Sequence, residues 1–76
     1  MKHARPDYER IQDPSNLIPL DEPVFLIRAQ DKNSGNTVRA WADLNDQNEG
    51  DPELSRLARE QARRMDEWPV KKTPDR

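Results

Sequence analysis

Pro19-Leu20-Asp21-Glu22-Pro23-Val24-Phe25-Leu26-Ile27-Arg28-Ala29-Gln30-Asp31 carries the main apolar run of an otherwise very polar chain. Val24 to Ile27 is too short for a helix, is rich in β-branched and aromatic residues, and is fenced by Pro23 and Asp31. That combination predicts a short buried strand. Alternation sends Val24 and Leu26 to one face and Phe25 and Ile27 to the other, so both faces need cover. Arg28 continues the Val24/Leu26 row and is therefore expected to be partly buried and paired with an anion.

The rest of the chain offers little to build a core around that strand. Of 76 residues, 32% are hydrophobic and 37% charged, a balance that permits one small domain close to the border with disorder. There is no cysteine, which removes disulfides and thiolate metal sites as staples. His3 is the only histidine and lies in a polar terminus, so no metal site is expected. The remaining remedy for a small core is association with other chains. A formal net charge of −2 argues against a general nucleic-acid binder. No stretch resembles a secretory leader or a membrane span, so the expected location is the cytoplasm of the cell that makes the protein.

Taken in order, residues 1–16 read as a flexible N-terminal arm or edge strand, 17–68 as a strand plus helical hairpin domain, and 69–76 as a polar tail. Met1 to Asp7 reads as a loose end, and Tyr8-Glu9-Arg10-Ile11-Gln12 as a short edge strand. Asp13-Pro14-Ser15-Asn16 has the chemistry of a type I turn. Pro19 and Pro23 bracket an acidic turn, compatible with a hairpin or an extended arm. Beyond the strand, Asp31 and Ser34 are candidate caps for a helix running to about Asn48, with Val38, Trp41, Ala42 and Leu44 inward. Gly50 suits a left-handed helix end, and Asp51-Pro52-Glu53 restarts a helix with a cap, a proline at the first position and an acid in the first turn. The second helix runs to about Trp68. Leu54, Ala58, Gln61, Met65 and Trp68 recur every three or four residues, and Leu57 and Ala62 broaden the stripe, the spacing of a helix packed along its length. The Val70 to Arg76 tail is expected to fray. The fold class is therefore α+β: one or two short N-terminal strands followed by a two-helix hairpin, completed by homo-oligomerisation.

No catalytic set is visible, and none is expected. One histidine without a neighbouring nucleophile cannot support acyl transfer, and two glycines make no phosphate-cradling loop. No cofactor is expected either. The arginines are more informative. Arg56, Arg59, Arg63 and Arg64 crowd the second helix. Two readings apply to them. One is a solvated face held by the pairs Arg56–Glu60, Glu60–Arg64 and Arg63–Glu67. The other is an anion site, since the like charges Arg59 and Arg63 repel unless something negative lies between them. Trp41 and Trp68 are likewise either core or anchors for a ligand or partner. The candidate ligand-binding set is Arg28, Arg39, Trp41, Arg59 and Arg63, with no catalytic and no metal-binding residue.

The segment Pro19-x-Asp21-Glu22-Pro23-Val24-Phe25-x-x-Arg28-x-x-Asp31, followed by Val38-Arg39-Ala40-Trp41-Ala42, resembles small phage and prophage proteins over about residues 18–68. The resemblance implies a phage accessory product and hands over no functional residues. Products of that kind act in counter-defence, by disabling a host factor or by sequestering a signalling molecule. Three functions follow as expectations. The first is a homo-oligomeric module whose composite arginine site captures a small anionic, nucleotide-like ligand. The second is an inhibitor docking on a host protein, and the third is a structural or assembly factor. The expected partners are copies of itself with that ligand or a host protein, without general nucleic-acid or membrane binding.

Overall fold

The computed structural model describes residues 2–3 and 13–74. Two short strands, β1 (Lys2–His3) and β2 (Pro23–Val24), precede two helices, α1 (Ser34–Gln47) and α2 (Pro52–Glu67). The short strand and the helical hairpin agree with the expected architecture. The edge strand expected at Tyr8–Gln12 lies outside the described residues.

The central strand is shorter than its composition suggests. β2 covers only Pro23–Val24 and pairs in parallel with β1, Lys2 opposite Pro23 and His3 opposite Val24. So part of the stretch read as a loose end is a strand. Residues 25–28 leave the ladder, and the Asp31 amide donates to the Arg28 carbonyl at 3.0 Å to close a turn. Alternation therefore ends before Arg28. Val24 and Ile27 are half-buried, but Phe25 is 72% exposed and Arg28 is exposed as well. A buried two-faced strand with a buried arginine at its end is corrected to a short bridge leading into a turn.

Upstream, the turn chemistry behaves as read. The Asn16 amide donates to the Asp13 carbonyl at 2.9 Å, and the Asp13 carboxylate accepts from the amides of Leu17 and Ile18. A second turn joins Glu22 to Pro19. The helix caps divide differently. Asn33 occupies the cap position of α1 without a side-chain cap bond, and Asp31 accepts from the Asn33 amide at 2.7 Å, one residue ahead of the helix. Ser34 is already helical and buried, its hydroxyl donating to the Ala29 carbonyl. Asp51 caps α2 as expected, its carboxylate accepting from the Glu53 amide at 2.9 Å.

The loop between the helices ends α1 with paired backbone bonds. The Glu49 amide reaches the Asp46 carbonyl and the Gly50 amide the Asn45 carbonyl at 2.7 Å, the two-bond pattern that closes a helix through one left-handed residue. That residue is Glu49, with φ 58°, and not Gly50. Gly50 serves another need: a Cβ there would overlap the Asn45 side chain. The Asn45 amide donates to the Asp51 carbonyl at 3.1 Å and to the Ser55 hydroxyl at 2.9 Å, stitching loop and second helix to the first.

The seam between α1 and α2 is built from small residues. Ala42 and Ala62 are fully buried, Ser34 and Ser55 nearly so, and among the described residues Met65 is the one large side chain buried with them. Ser55, Ala58, Ala62 and Met65 recur every three or four positions, so one narrow stripe of α2 faces α1. The Ser55 hydroxyl lies 3.4 Å from the Ala42 carbonyl on the opposite helix, a contact that needs the backbones close together. Gly35 permits the same closeness at the other end, where a Cβ would overlap the Asp66 carboxylate.

The C-terminal segment folds back on the turn before α1. Lys72 bridges Asp31, with its amide donating to the Gln30 carbonyl at 2.8 Å and its carbonyl accepting from the Lys32 amide at 3.0 Å. The Lys71 ammonium donates to the Ala29 carbonyl at 2.7 Å and to the Met65 carbonyl, placing a cation on the last turn of α2. The tail expected to fray is thus anchored as far as residue 72.

Candidate functional site

Antiparallel helices packed along one seam present two flanks, and here the flanks differ in chemistry. Helical register puts Arg39, Asp43 and Asp46 of α1 on the same side as Arg56, Arg59, Arg63 and Asp66 of α2. On this charged flank Arg39 Nη1 bonds Asp66 Oδ2 at 2.7 Å, with Nη2 on Asn36 at 2.8 Å. Arg59 Nη2 donates to Asp43 at 2.9 Å and to Asp46 at 2.6 Å. Both arrangements cross from one helix to the other. Within α2, Arg63 bonds Glu60 through Nε at 3.2 Å and through Nη2, and Glu67 through Nη1 at 2.5 Å. Arg56 takes Glu53 with the same two-pronged grip, not the expected Glu60. Arg64 reaches Glu60 at 3.6 Å.

These bonds move the ionisation of the acids. Glu53 is held below the usual carboxylate range by its hydrogen bonds from Arg56, Glu60 by Arg63 and Asp66 by Arg39. Asp46 is lowered by the Ser55 hydroxyl and then by Arg59. Arg56, Arg59 and Arg63 are correspondingly raised, chiefly by the bonds they donate to Glu53, Asp46 and Glu60. The repulsion expected between Arg59 and Arg63 is thus met by internal acids.

A shallow cleft of about 450 Å³ opens on this flank, lined by Asp46, Pro52, Arg56, Arg59, Glu60 and Arg63. It brings together two of the five candidate residues, Arg59 and Arg63. Arg39 sits further along the flank against Asp66. Arg28 belongs to the turn ahead of α1, and among the described residues no ion pair engages its side chain. Trp41 lies on the other flank.

That second flank is the one the sequence reading placed in the core. Trp41 and Leu44 of α1, with Leu54, Leu57 and Trp68 at the register of α2, are each about half exposed, 48–55%. Of the residues expected to pack inward, Ala42, Ala62 and Met65 do, while these five lie half outside, because the small stripe Ser55-Ala58-Ala62-Met65 takes the inward position one step round the helix. The expected stripe Leu54-Ala58-Gln61-Met65-Trp68, broadened by Leu57 and Ala62, overlaps it and shares Ala58, Ala62 and Met65. Leu44, Leu54, Leu57 and Trp68 thus join Trp41 as candidate contact residues. The signal that identifies them is the run of Ala and Ser at helical spacing, which marks where backbones approach.

Among the described residues no cluster of three or more histidine or acidic side chains is arranged to hold a metal ion. No described helix is long and apolar enough to cross a membrane. No protein family, no curated protein and no solved structure matches the chain.

Proposed function

We propose that this protein is a small non-enzymatic interaction module that works by protein–protein contact through the apolar flank of its helical hairpin. The observation that carries this reading is the half-exposure of Trp41, Leu44, Leu54, Leu57 and Trp68 along one flank, while ion pairs occupy the other. Half-exposed aromatic and aliphatic side chains on rigid helices are the anchors that interfaces use. In the setting suggested by the resemblance of residues 18–68, the module is a phage accessory product that acts by contact rather than by chemistry.

The test compares two sets of variants in quantitative capture from the cells that make the protein. Partners recovered with the parent should be lost with Leu57→Glu and Trp41→Ala and retained with Arg56→Ala and Arg63→Ala. The reverse pattern would reject the reading and move the function to the arginines.

A second reading, capture of a small anionic, nucleotide-like ligand, has one observation in its favour. Arg56, Arg59 and Arg63 line a single cleft, and among the described residues both bonds of Arg59 run through one nitrogen, Nη2. An anion there has to displace carboxylates already held by those forks, which lowers its net gain. Melting with millimolar pyrophosphate or nucleotides is the check. A shift abolished by Arg59→Ala supports ligand capture, and no shift removes it.

A further inference from the structure

We infer that the apolar flank is the contact surface of a second copy of this chain, so that two hairpins close into a four-helix assembly. The inference rests on the interaction reading and names its partner. Area is the first support. Half of two tryptophans and three leucines leaves about 350–400 Å² of apolar surface per chain. Doubled, and taken as the usual 55–65% apolar share, that corresponds to an interface of about 1,200 Å², the lower bound for a stable specific complex. One hairpin's flank is therefore just sufficient when its partner brings an equal flank.

The distribution along the flank supplies the second support. Asn45 faces Ser55 and Gly35 faces Asp66, so the helices run antiparallel with Leu44, Leu54 and Leu57 towards the loop end. Trp68 lies at the opposite end and Trp41 midway. A two-fold axis near Trp41 then lays the leucine end of one copy over Trp68 of the other, bulky against smaller, with the same residues used on both sides. Charge gives the third support. The pairs on Arg39, Arg56, Arg59 and Arg63 occupy the opposite flank, whereas this one holds the uncharged Gln61 and, seven residues on from Leu57, Arg64, which Glu60 neutralises at 3.6 Å. Two copies can therefore approach here with far fewer charges to desolvate than on the other flank, and with Arg64 already paired. The large buried side chains of the single hairpin amount to Met65, so each copy has more apolar material outside its seam than in it.

Sedimentation equilibrium of the full chain between about 1 and 200 µM tests the proposal. The parent should run at twice the mass of one chain. Leu57→Glu should weaken association about 30-fold or more, as expected for a central anchor, while Arg63→Ala should leave it unchanged. Should Leu57→Glu lose its helical circular dichroism, the parent alone still decides. Its tryptophan emission must shift to the red on dilution, as Trp41 and Trp68 return to water. A single-chain mass at 200 µM with unshifted emission overturns the inference. If such a monomer still captures a foreign protein in a Leu57-dependent way, the interaction reading survives with a different partner. If that capture is also indifferent to Leu57→Glu, both fail.

Discussion

Replacing Ala62 with leucine is the sharpest perturbation of the hairpin, because it acts where the helices are closest. Ala62 is fully buried in the middle of the small-residue stripe. Leucine adds three carbon atoms, worth about 2.4 kcal/mol of transfer energy if they can be buried without displacement. They cannot be. Room has to come from separating the helices, and the contacts that span the seam resist separation: Ser55 against the Ala42 carbonyl, Asn45 on Ser55, Arg59 on Asp43 and Asp46, and Arg39 on Asp66. Overpacking of a closed site costs about 1–3 kcal/mol net, and Ala62→Leu is expected within that range. Urea unfolding followed by circular dichroism at 222 nm measures it, with the slope compared between parent and variant to exclude a change in the unfolded state. Equal or greater stability for the leucine variant would refute a small-residue seam and return the large apolar residues to the interior.

Three further outcomes follow from the same geometry. Met65→Ala should cost about 2–5 kcal/mol, whereas Leu57→Ala, half exposed, should cost about half as much at low concentration; urea titration at two protein concentrations separates the two. Glu49→Gly should raise stability by about 0.5–1 kcal/mol, because glycine relieves the left-handed strain at φ 58°, and a raised melting temperature checks it. Asp46, Glu53, Glu60 and Asp66 have lowered folded-state pKa values, so their stabilisation is complete above the ordinary carboxylate range and lost as pH falls through their folded values. Melting temperature should accordingly be flat near neutral pH and fall below about pH 4.

What was legible in the sequence was the local chemistry. Asp13-Pro14 and Asp51-Pro52-Glu53 carry their turn and cap in adjacent residues, and the structure forms both. What depends on distant residues was not legible. β2 pairs with Lys2–His3, a polar dipeptide that no periodicity marks as a strand. Gly50 has the chemistry of a left-handed stop, yet its requirement is space for Asn45, which is visible only once the loop is closed. On α2 two stripes interleave, one large and one small, and hydrophobicity favours the large one. Packing selects the small one, because Asn45–Ser55 and Gly35–Asp66 approach closely only across Ala, Ser and Gly. The site reading shifted for the same reason. Arg59 and Arg63 read as repelling cations until Asp43 and Asp46 arrive from the other helix to hold Arg59, while Glu60 and Glu67 hold Arg63.

The charged flank then has a consequence beyond its own energy. Exposed ion pairs are screened by water, so the pairs on Arg39, Arg56, Arg59 and Arg63 add little to the stability of the hairpin. They do decide which flank can be buried. Covering the charged flank would strip water from at least four guanidinium–carboxylate pairs, and that desolvation cost grows faster than the attraction gained. Covering the other flank meets Gln61 and the single pair Arg64–Glu60, and otherwise removes tryptophan and leucine surface from water. The cross-helix pairs Arg39–Asp66 and Arg59–Asp43/Asp46 also fix the rotation of each helix about its axis, keeping Trp41 and Leu57 turned outward on the same side. Orientation of the binding surface, more than stability, is what the arginines of this chain supply.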